Sequence, residues 1–229
     1  MIILDNVTKV YPGKCVALNK VDLTINDGEF VFMIGRSGAG KSTLAKLLIR
    51  EEKPTEGSII VNGVNISKLR AGKVAKFRRT VGSIFQEFRL FSDKTVYENV
   101  AFAMRVIGEP EANIKKRVPW LLELVGLTDK SERYPTELSG GQQQRVAIAR
   151  AIANNPDIII ADEPTGNIDP EMSIEIMELL FSLNKLGKTI IVITHERALV
   201  NHYKQRVIAI DNGEVISDRN GGYDDEKTV

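Results

Sequence analysis

Cysteine, histidine and tryptophan are scarce in this 229-residue sequence, with one, two and one copies, and aromatic residues make up only 6%. Cys15 has no second cysteine to pair with, so no internal disulfide can form, a usage that suits a reducing cytosol. Long hydrophobic runs are missing too: no stretch approaches the ~18 apolar residues that cross a bilayer. No charged-then-apolar leader precedes the first strand-like segment. The expected place is therefore the cytoplasm, with any membrane association supplied by another chain. Neither sign of charge predominates. Lys plus Arg is 31 against 30 for Asp plus Glu, a net +1, which gives no global reason to expect a nucleic-acid partner. The 43% hydrophobic and 27% charged residues are ordinary for one large or two closely joined globular domains with a sizeable core.

What is present is organised around Phe30 to Arg50, FVFMIGRSGAGKSTLAKLLIR. A short apolar run, Phe30 to Ile34, predicts a buried strand; GRSGAGKS turns the chain; Lys41 to Arg50 has helix-forming composition. Gly35, Gly38 and Gly40 free the backbone for conformations that a Cβ obstructs, so successive amides, with those of Arg36, Ser37 and Ala39, converge on one anion. Lys41 adds a charge that reaches the β and γ phosphates, Ser42 offers a hydroxyl to Mg²⁺, and the amides at the helix start, through Thr43, complete the cradle. A glycine-rich turn that merely caps a helix does not explain Lys and Ser at those two positions.

Upstream, IILDNVTKVY and VALNKVDLTI flank the turn Pro12-Gly13 and predict a small antiparallel sheet. Tyr11, beside that turn, either stacks on a flat base or is an ordinary aromatic on a half-buried strand. Downstream, SIIVNG reads as a strand. Lys68 to Arg79 holds six basic residues in twelve, read as a solvated face rather than a contact for anionic lipid. VGSIFQ ends in Gln86 at a strand's C-terminal edge, where a long polar side chain reaches a metal or a water. From Glu87 to Leu138 the pattern turns helical: Ile114, Val118, Leu121, Leu122 and Val125 share one face, with Pro119 expected to kink or restart the helix. Phe88, Leu90, Phe91, Val96, Tyr97 and Phe102 exceed what a surface connection needs, and part of that cluster beside Gln86 would make a docking groove for a partner helix.

In LSGGQQQRVAIARAIANN, Ser139 and Gln142 form a capping-box pattern, and Gly140 and Gly141 bare a second set of helix-start amides, an anion site without a lysine. DIIIADEP then places Asp162 and Glu163 at the C-terminal end of an apolar strand, the edge at which open α/β sheets bind ligands. Asp162 suits Mg²⁺, directly or through water, and Glu163 suits a general base whose burial pairs it or raises its pKa. In GNIDPE, Asp169-Pro170 is a helix entry, followed by the stripe Met172, Ile176, Leu179, Leu180 and Leu183 up to Gly187. TIIVITHE ends a further strand in His195, while His202 is read as surface. Asp211-Asn212-Gly213 signals a hairpin between RVIAI and GEVI. The polar tail from residue 220 is expected to be disordered.

Together, GRSGAGKS, Gln86, LSGGQ, IIIADE, GNID and His195 resemble, in this order and over essentially the whole chain, the ATP-binding cassette (ABC) ATPases. The resemblance implies an α/β phosphate-loop fold: a mostly parallel core sheet with an N-terminal antiparallel subdomain in residues 1–86 and 156–219, and a helical insertion with the signature helix in 87–155. It implies ATP and Mg²⁺ as ligands, Tyr11 stacking on adenine, Glu163 activating water, His195 contacting the γ-phosphate, and Gln86 linking the metal to a partner. Ser42, Gln86 and Asp162 form the metal set. One departure is Glu196 after the histidine, where Asp is more usual; the charge is preserved. Because the chain has one GRSGAGKS and one LSGGQ, it implies a head-to-tail homodimer in which Ser139, Gly140, Gly141 and Gln142 of one copy close over ATP held by the other. The string IFQEFRLFSDKTVYENVAFAM is similar to the cell-division branch of the family, which implies an integral membrane partner docked near Gln86 to Phe102, a peripheral place on the cytoplasmic membrane face, and no nucleic acid. The alternative is the ATPase of a lipoprotein-release, macrolide-efflux or amino-acid transporter.

Overall fold

The computed structural model describes residues 1–166 and 168–222. The expected N-terminal sheet is present. β1 (Ile2–Tyr11) pairs antiparallel with β2 (Cys15–Ile25) across Pro12-Gly13. After β3 (Phe30–Ile34) and α1 (Lys41–Leu48), β4 (Glu56–Val61) and β5 (Val64–Asn65) complete a four-stranded sheet in the order β2-β1-β4-β5. α2 (Ala71–Arg78) follows, and Lys68, Arg70, Lys73, Lys76, Arg78 and Arg79 around it are all exposed.

The remaining elements build the nucleotide-facing sheet and its cover. β6 (Val81–Ile84) is followed by α3 (Val96–Val106), α4 (Glu111–Leu124) and α5 (Gly140–Ile152). Then come β7 (Ile158–Asp162), α6 (Pro170–Lys185), β8 (Thr189–Ile193), α7 (Arg197–Tyr203), β9 (Arg206–Asp211) and β10 (Glu214–Asn220). The six-stranded order is β10-β9-β3-β8-β7-β6, parallel throughout except for β10 at the edge. β10 returns through Asn212 (φ 47°) and Gly213 (φ 80°), positive at both central positions as a two-residue hairpin turn requires.

Alternation along the strands decides which layer each face serves. Phe30, Phe32, Ile159, Ile190 and Val192 point into a core shared with α3, α4, α5 and α6. Val31, Met33, Ile158, Ile160 and Ile191 point into a second core with α1 and the antiparallel sheet. A period of two thus gives one sheet two covered faces. The helical insertion has no separate core; it shares one with the sheet.

One expectation is narrowed and another corrected. α4 continues through Pro119 as one helical span and does not restart there. That residue is exposed, whereas Ile114, Val118, Leu121, Leu122 and Val125 are all buried, so packing on the opposite face holds the helix and water can serve the carbonyl that lost its donor. Asn220, expected to open a disordered tail, closes β10 against Arg206; residues 223–229 lie outside the described residues. The helical face yields a test by denaturation. Leu121→Ala should cost about 2–5 kcal/mol, while the exposed Lys115→Ala should stay within about 0.5 kcal/mol.

Candidate functional site

The loop from Gly35 to Gly40 joins β3 to α1 in a shape only glycine tolerates at its ends. A Cβ on Gly35 (φ 153°) would lie 2.1 Å from the Ile210 carbonyl oxygen, and one on Gly40 (φ 110°) would lie 2.4 Å from that of Ala17. The loop is thereby clamped between β9 and β2. Lys41 folds back into it, donating to the carbonyl oxygens of Gly35 at 2.7 Å and Arg36 at 2.9 Å. Burial pushes its ammonium pKa down, and the carboxylates of Glu163 and Asp162 pull it back up. The cation is pre-placed where an anion would complete its shell.

The acids stand where β7 ends. The Asp162 carboxyl pKa is raised by burial and by Glu163, against the Ser42 hydroxyl that hydrogen-bonds it and the charges of Lys41 and Lys46. Glu163 has a left-handed backbone (φ 48°), uncommon for a residue with a Cβ and a form of strain that clusters at functional sites. Its amide is held by the Ile193 carbonyl at 2.9 Å. Oε1 of Glu163 lies 2.8 Å from His195 Nδ1, while Oε2 is buried with no partner. The side chains differ sharply in access, with Glu163 at 14% and His195 at 68% exposure.

Lys41, Ser42, Gln86, Asp162, Glu163 and His195 line one cleft of about 630 Å³, together with Gly35, Arg36, Ser37, Gly38, Gly40 and Thr43 of the loop. Gln86 lies two residues beyond the end of β6 rather than on it. The donor set at the loop end, the Ser42 hydroxyl, Gln86 amide and Asp162 carboxylate, is all hard oxygen and fits Mg²⁺. Among the described residues no cluster of three or more His, Cys, Asp or Glu could hold a metal by itself. A groove of equal volume between α3, α4 and the end of α5, walled by Met104, Ile107 and Trp120, lacks a glycine loop and paired acids. Chemistry, not size, selects the first.

Several sequence-derived residues lie elsewhere. Tyr11 is not on the cleft wall; the Lys9 ammonium sits 4.8 Å from its ring centroid. Cys15, Val16 and Ala17 form the wall there. Val16 is 52% exposed and faces Val10 across the ladder; only pairing register places it there, which the sequence does not print. Ala39 is buried, its carbonyl taken by the Gly213 amide at 3.0 Å. Ser139, Gly140, Gly141 and Gln142 are away from this cleft. Ser139 and Gln142 do form the expected box, with the Gln142 amide donating to Ser139 Oγ at 3.3 Å and the Ser139 amide to Gln142 Oε1 at 3.0 Å. Gly141 is pressed by Met172, whose Cγ would be 2.2 Å from an added Cβ.

Sequence reasoning missed Gln144, fully buried on α5, whose Nε2 donates 2.8 Å to the carbonyl of Pro164 beside Glu163. Its place three residues before the buried Ala147 was the available signal. In GNIDPE, Asp169 caps α6 by accepting from the Met172 amide at 3.0 Å; Asn167 lies outside the described residues.

Comparison with known proteins agrees with this geometry. The family model described as ABC transporter matches residues 18–166. Cell division ATP-binding protein FtsE of Bacillus subtilis is 49% identical over 222 residues, 97% of each chain. Methionine import ATP-binding protein MetN 1 of Rhodopseudomonas palustris is 47% identical over 95% of this chain but only 60% of its own length. Among solved structures, the dimeric post-hydrolysis state of the ATP-binding cassette MJ0796 bound to ADP and Pi superposes with a TM-score of 0.87 at 38% identity, covering 96% of this chain and 98% of that one. With a family match over most of the chain, a near-full-length relative and a clamped phosphate loop facing a strand-end acid pair, this chain belongs to the ABC transporter family of ATPases.

Proposed function

We propose that this chain is the ATP-hydrolysing subunit of an FtsE-type cell-division complex. In this reading it works as a homodimer and couples ATP-driven closure to an integral membrane partner of FtsX type that regulates peptidoglycan hydrolases. The observation that carries the enzymatic part is the Glu163–His195 contact at 2.8 Å on the wall of the cleft that holds Lys41. Near-complete mutual coverage with the FtsE relative favours the cell-division role over the importer, whose relative is far longer than this chain.

The chemistry follows from the atoms. Lys41 exchanges the carbonyls of Gly35 and Arg36 for β and γ phosphate oxygens, and the loop amides take the rest of the charge. Val16 and Ala17 offer an apolar wall to the nucleoside, with Tyr11 across the ladder from Cys15 at the turn of the same hairpin. Mg²⁺, bound through Ser42, Asp162 and Gln86, would neutralise developing charge on the phosphates. The Glu163 carboxylate accepts a proton as a water oxygen bonds the γ-phosphorus, and the bond to the ADP oxygen breaks. His195 holds one carboxylate oxygen at 2.8 Å and so fixes the orientation of that group on the cleft wall. That proton leaves with the phosphate product.

The signature residues cannot serve the cleft of their own chain, so Ser139, Gly140, Gly141 and Gln142 of a second copy close over the γ-phosphate. ATP thereby joins the copies, and hydrolysis loosens them. The docking segment from Gln86 to Phe102 carries an exposed aromatic pair, Phe91 and Phe102, with ring centroids 4.7 Å apart. Arg150 of α5 binds the carbonyl oxygens of Arg89 at 2.6 Å and Phe88 at 2.9 Å. The helix that begins with the signature thus grips the segment that meets the membrane partner, and peripheral attachment at the cytoplasmic face follows.

Three outcomes test this. Glu163→Gln should cut the ATPase rate at least ~10²-fold and make an ATP-bound dimer persist in gel filtration; an unchanged rate removes Glu163 as the base. Asp162→Asn should raise the Tm of the nucleotide-free protein, since burial there disfavours a charge, yet abolish Mg²⁺-dependent ATP binding measured by calorimetry. In ATP-supplemented membrane pull-downs, Phe91→Ala with Phe102→Ala should lose the membrane partner that the unaltered chain captures, while hydrolysis by the isolated subunit changes less than about twofold.

A further inference from the structure

His195 projects into solvent with most of its side chain exposed, so its contact with Glu163 needs support from the backbone on either side. On the N-terminal side the support is plain. Thr194 is 1% exposed, and its amide donates to the Met33 carbonyl of β3 at 3.1 Å. On the C-terminal side stands Glu196, and its carboxylate accepts a hydrogen bond from the hydroxyl of Thr165. Thr165 is itself 3% exposed. The Glu196 amide turns back to Thr194 Oγ1 at 3.0 Å, closing a small ring around His195.

Thr165 belongs to the other half of the pair. It lies two residues after Glu163, on a segment pinned by three further bonds. The Glu163 amide donates to Ile193 O at 2.9 Å, the Gly166 amide to Glu163 O at 3.2 Å, and Gln144 to Pro164 O at 2.8 Å. The loops after β7 and β8 are therefore joined twice, once through Glu163 and His195 and once through Thr165 and Glu196. The second junction is the better shielded.

We infer that Thr165 and Glu196 form a latch, a pair of positioning residues that holds His195 in register with Glu163. The inference rests on the hydrolytic reading of that pair given above. Two points of attachment fix the relative placement of two loops where one leaves a pivot, and a loose support of the reacting group costs rate even when the group itself is present. Neither Thr165 nor Glu196 lines the nucleotide cleft, so the latch acts on turnover and not on nucleotide affinity. Glutamate at 196 has the reach to meet a buried threonine hydroxyl across the two loops, so its identity is a matter of length as well as charge.

Steady-state ATPase assays on the full chain decide the matter. Thr165→Val, which keeps shape and removes the donor, should lower kcat about tenfold and move KM and ATP affinity by less than about twofold. Thr165→Ser should restore most of the loss. Glu196→Ala should match Thr165→Val, and the two combined should be no slower than either alone; Glu196→Gln, which keeps length and an acceptor oxygen, should fall between. The chain has only two histidines, so proton NMR offers a second readout: Thr165→Val should broaden or shift the His195 ring signal and leave that of His202 in place. The latch is overturned if Thr165→Val lowers Tm with kcat within twofold of the unaltered chain, if KM rises in step with the fall in kcat, if the two losses add, or if His195 is unmoved. Glu163→Gln in the same series separates the two failures. Full activity there removes the hydrolytic reading itself, whereas a dead Glu163→Gln beside a normal Thr165→Val removes the latch alone.

Discussion

The fold depends on one constraint, that β3, β8, β7 and β6 run parallel in register, so that their C-terminal ends share one edge. Asp162 and Met33 both pair with Ile193, and the Thr194 amide donates to the Met33 carbonyl. Three loops leave that edge within reach of one another, carrying Lys41, Glu163 and His195. No segment of the chain needs to contain a catalytic centre, because the sheet assembles one from separate strand ends.

That assembly puts like and unlike charges in a partly dry place. Lys41 loses hydration and is pulled back toward its charged form by two acids; Asp162 is pushed toward neutrality by burial and by its neighbour. The arrangement is poor for a nucleotide-free protein and suited to a bound one, in which phosphates satisfy the lysine and a cation satisfies the aspartate. The left-handed Glu163 and its unpartnered Oε2 have the same character. A site of this kind is stable because the two cores on either side of the sheet over-determine it.

Much of this was legible in the residues, and for different reasons. Phe30–Ile34 and Ile158–Ala161 read as strands because apolar runs covered on both faces need no alternation, and GRSGAGKS read as a loop because its glycines and lysine demand one another. Gln142 read as a cap because Ser139 stands three residues before it. What stayed hidden depends on pairing between distant segments. Val16 reaches the cleft wall through the β1 and β2 register, and Gln144 meets Pro164 only once α5 packs beside the loop after β7. Pro119 does not restart α4 because that helix is held by its buried face. The tail boundary missed by a strand's end because the polar residues of β10 pair at an edge where only alternate side chains need burial.

Gly35 to Lys41 and Ser139 to Gln142 lie in different parts of one chain, and α5, which begins at Gly140, reaches from the second of them to the loop after β7. Met172, next to the Asp169 cap, presses on Gly141 with no room for a Cβ. Gln144, one turn further, holds the carbonyl after Glu163. Arg150, near the far end of the same helix, holds the backbone after Gln86. α5 is therefore a rod touching the segment after Glu163 near one end and the segment after Gln86 near the other. A dense interior passes displacement along such a rod rather than absorbing it, so a shift beside Glu163 is carried to the backbone at Phe88 and Arg89.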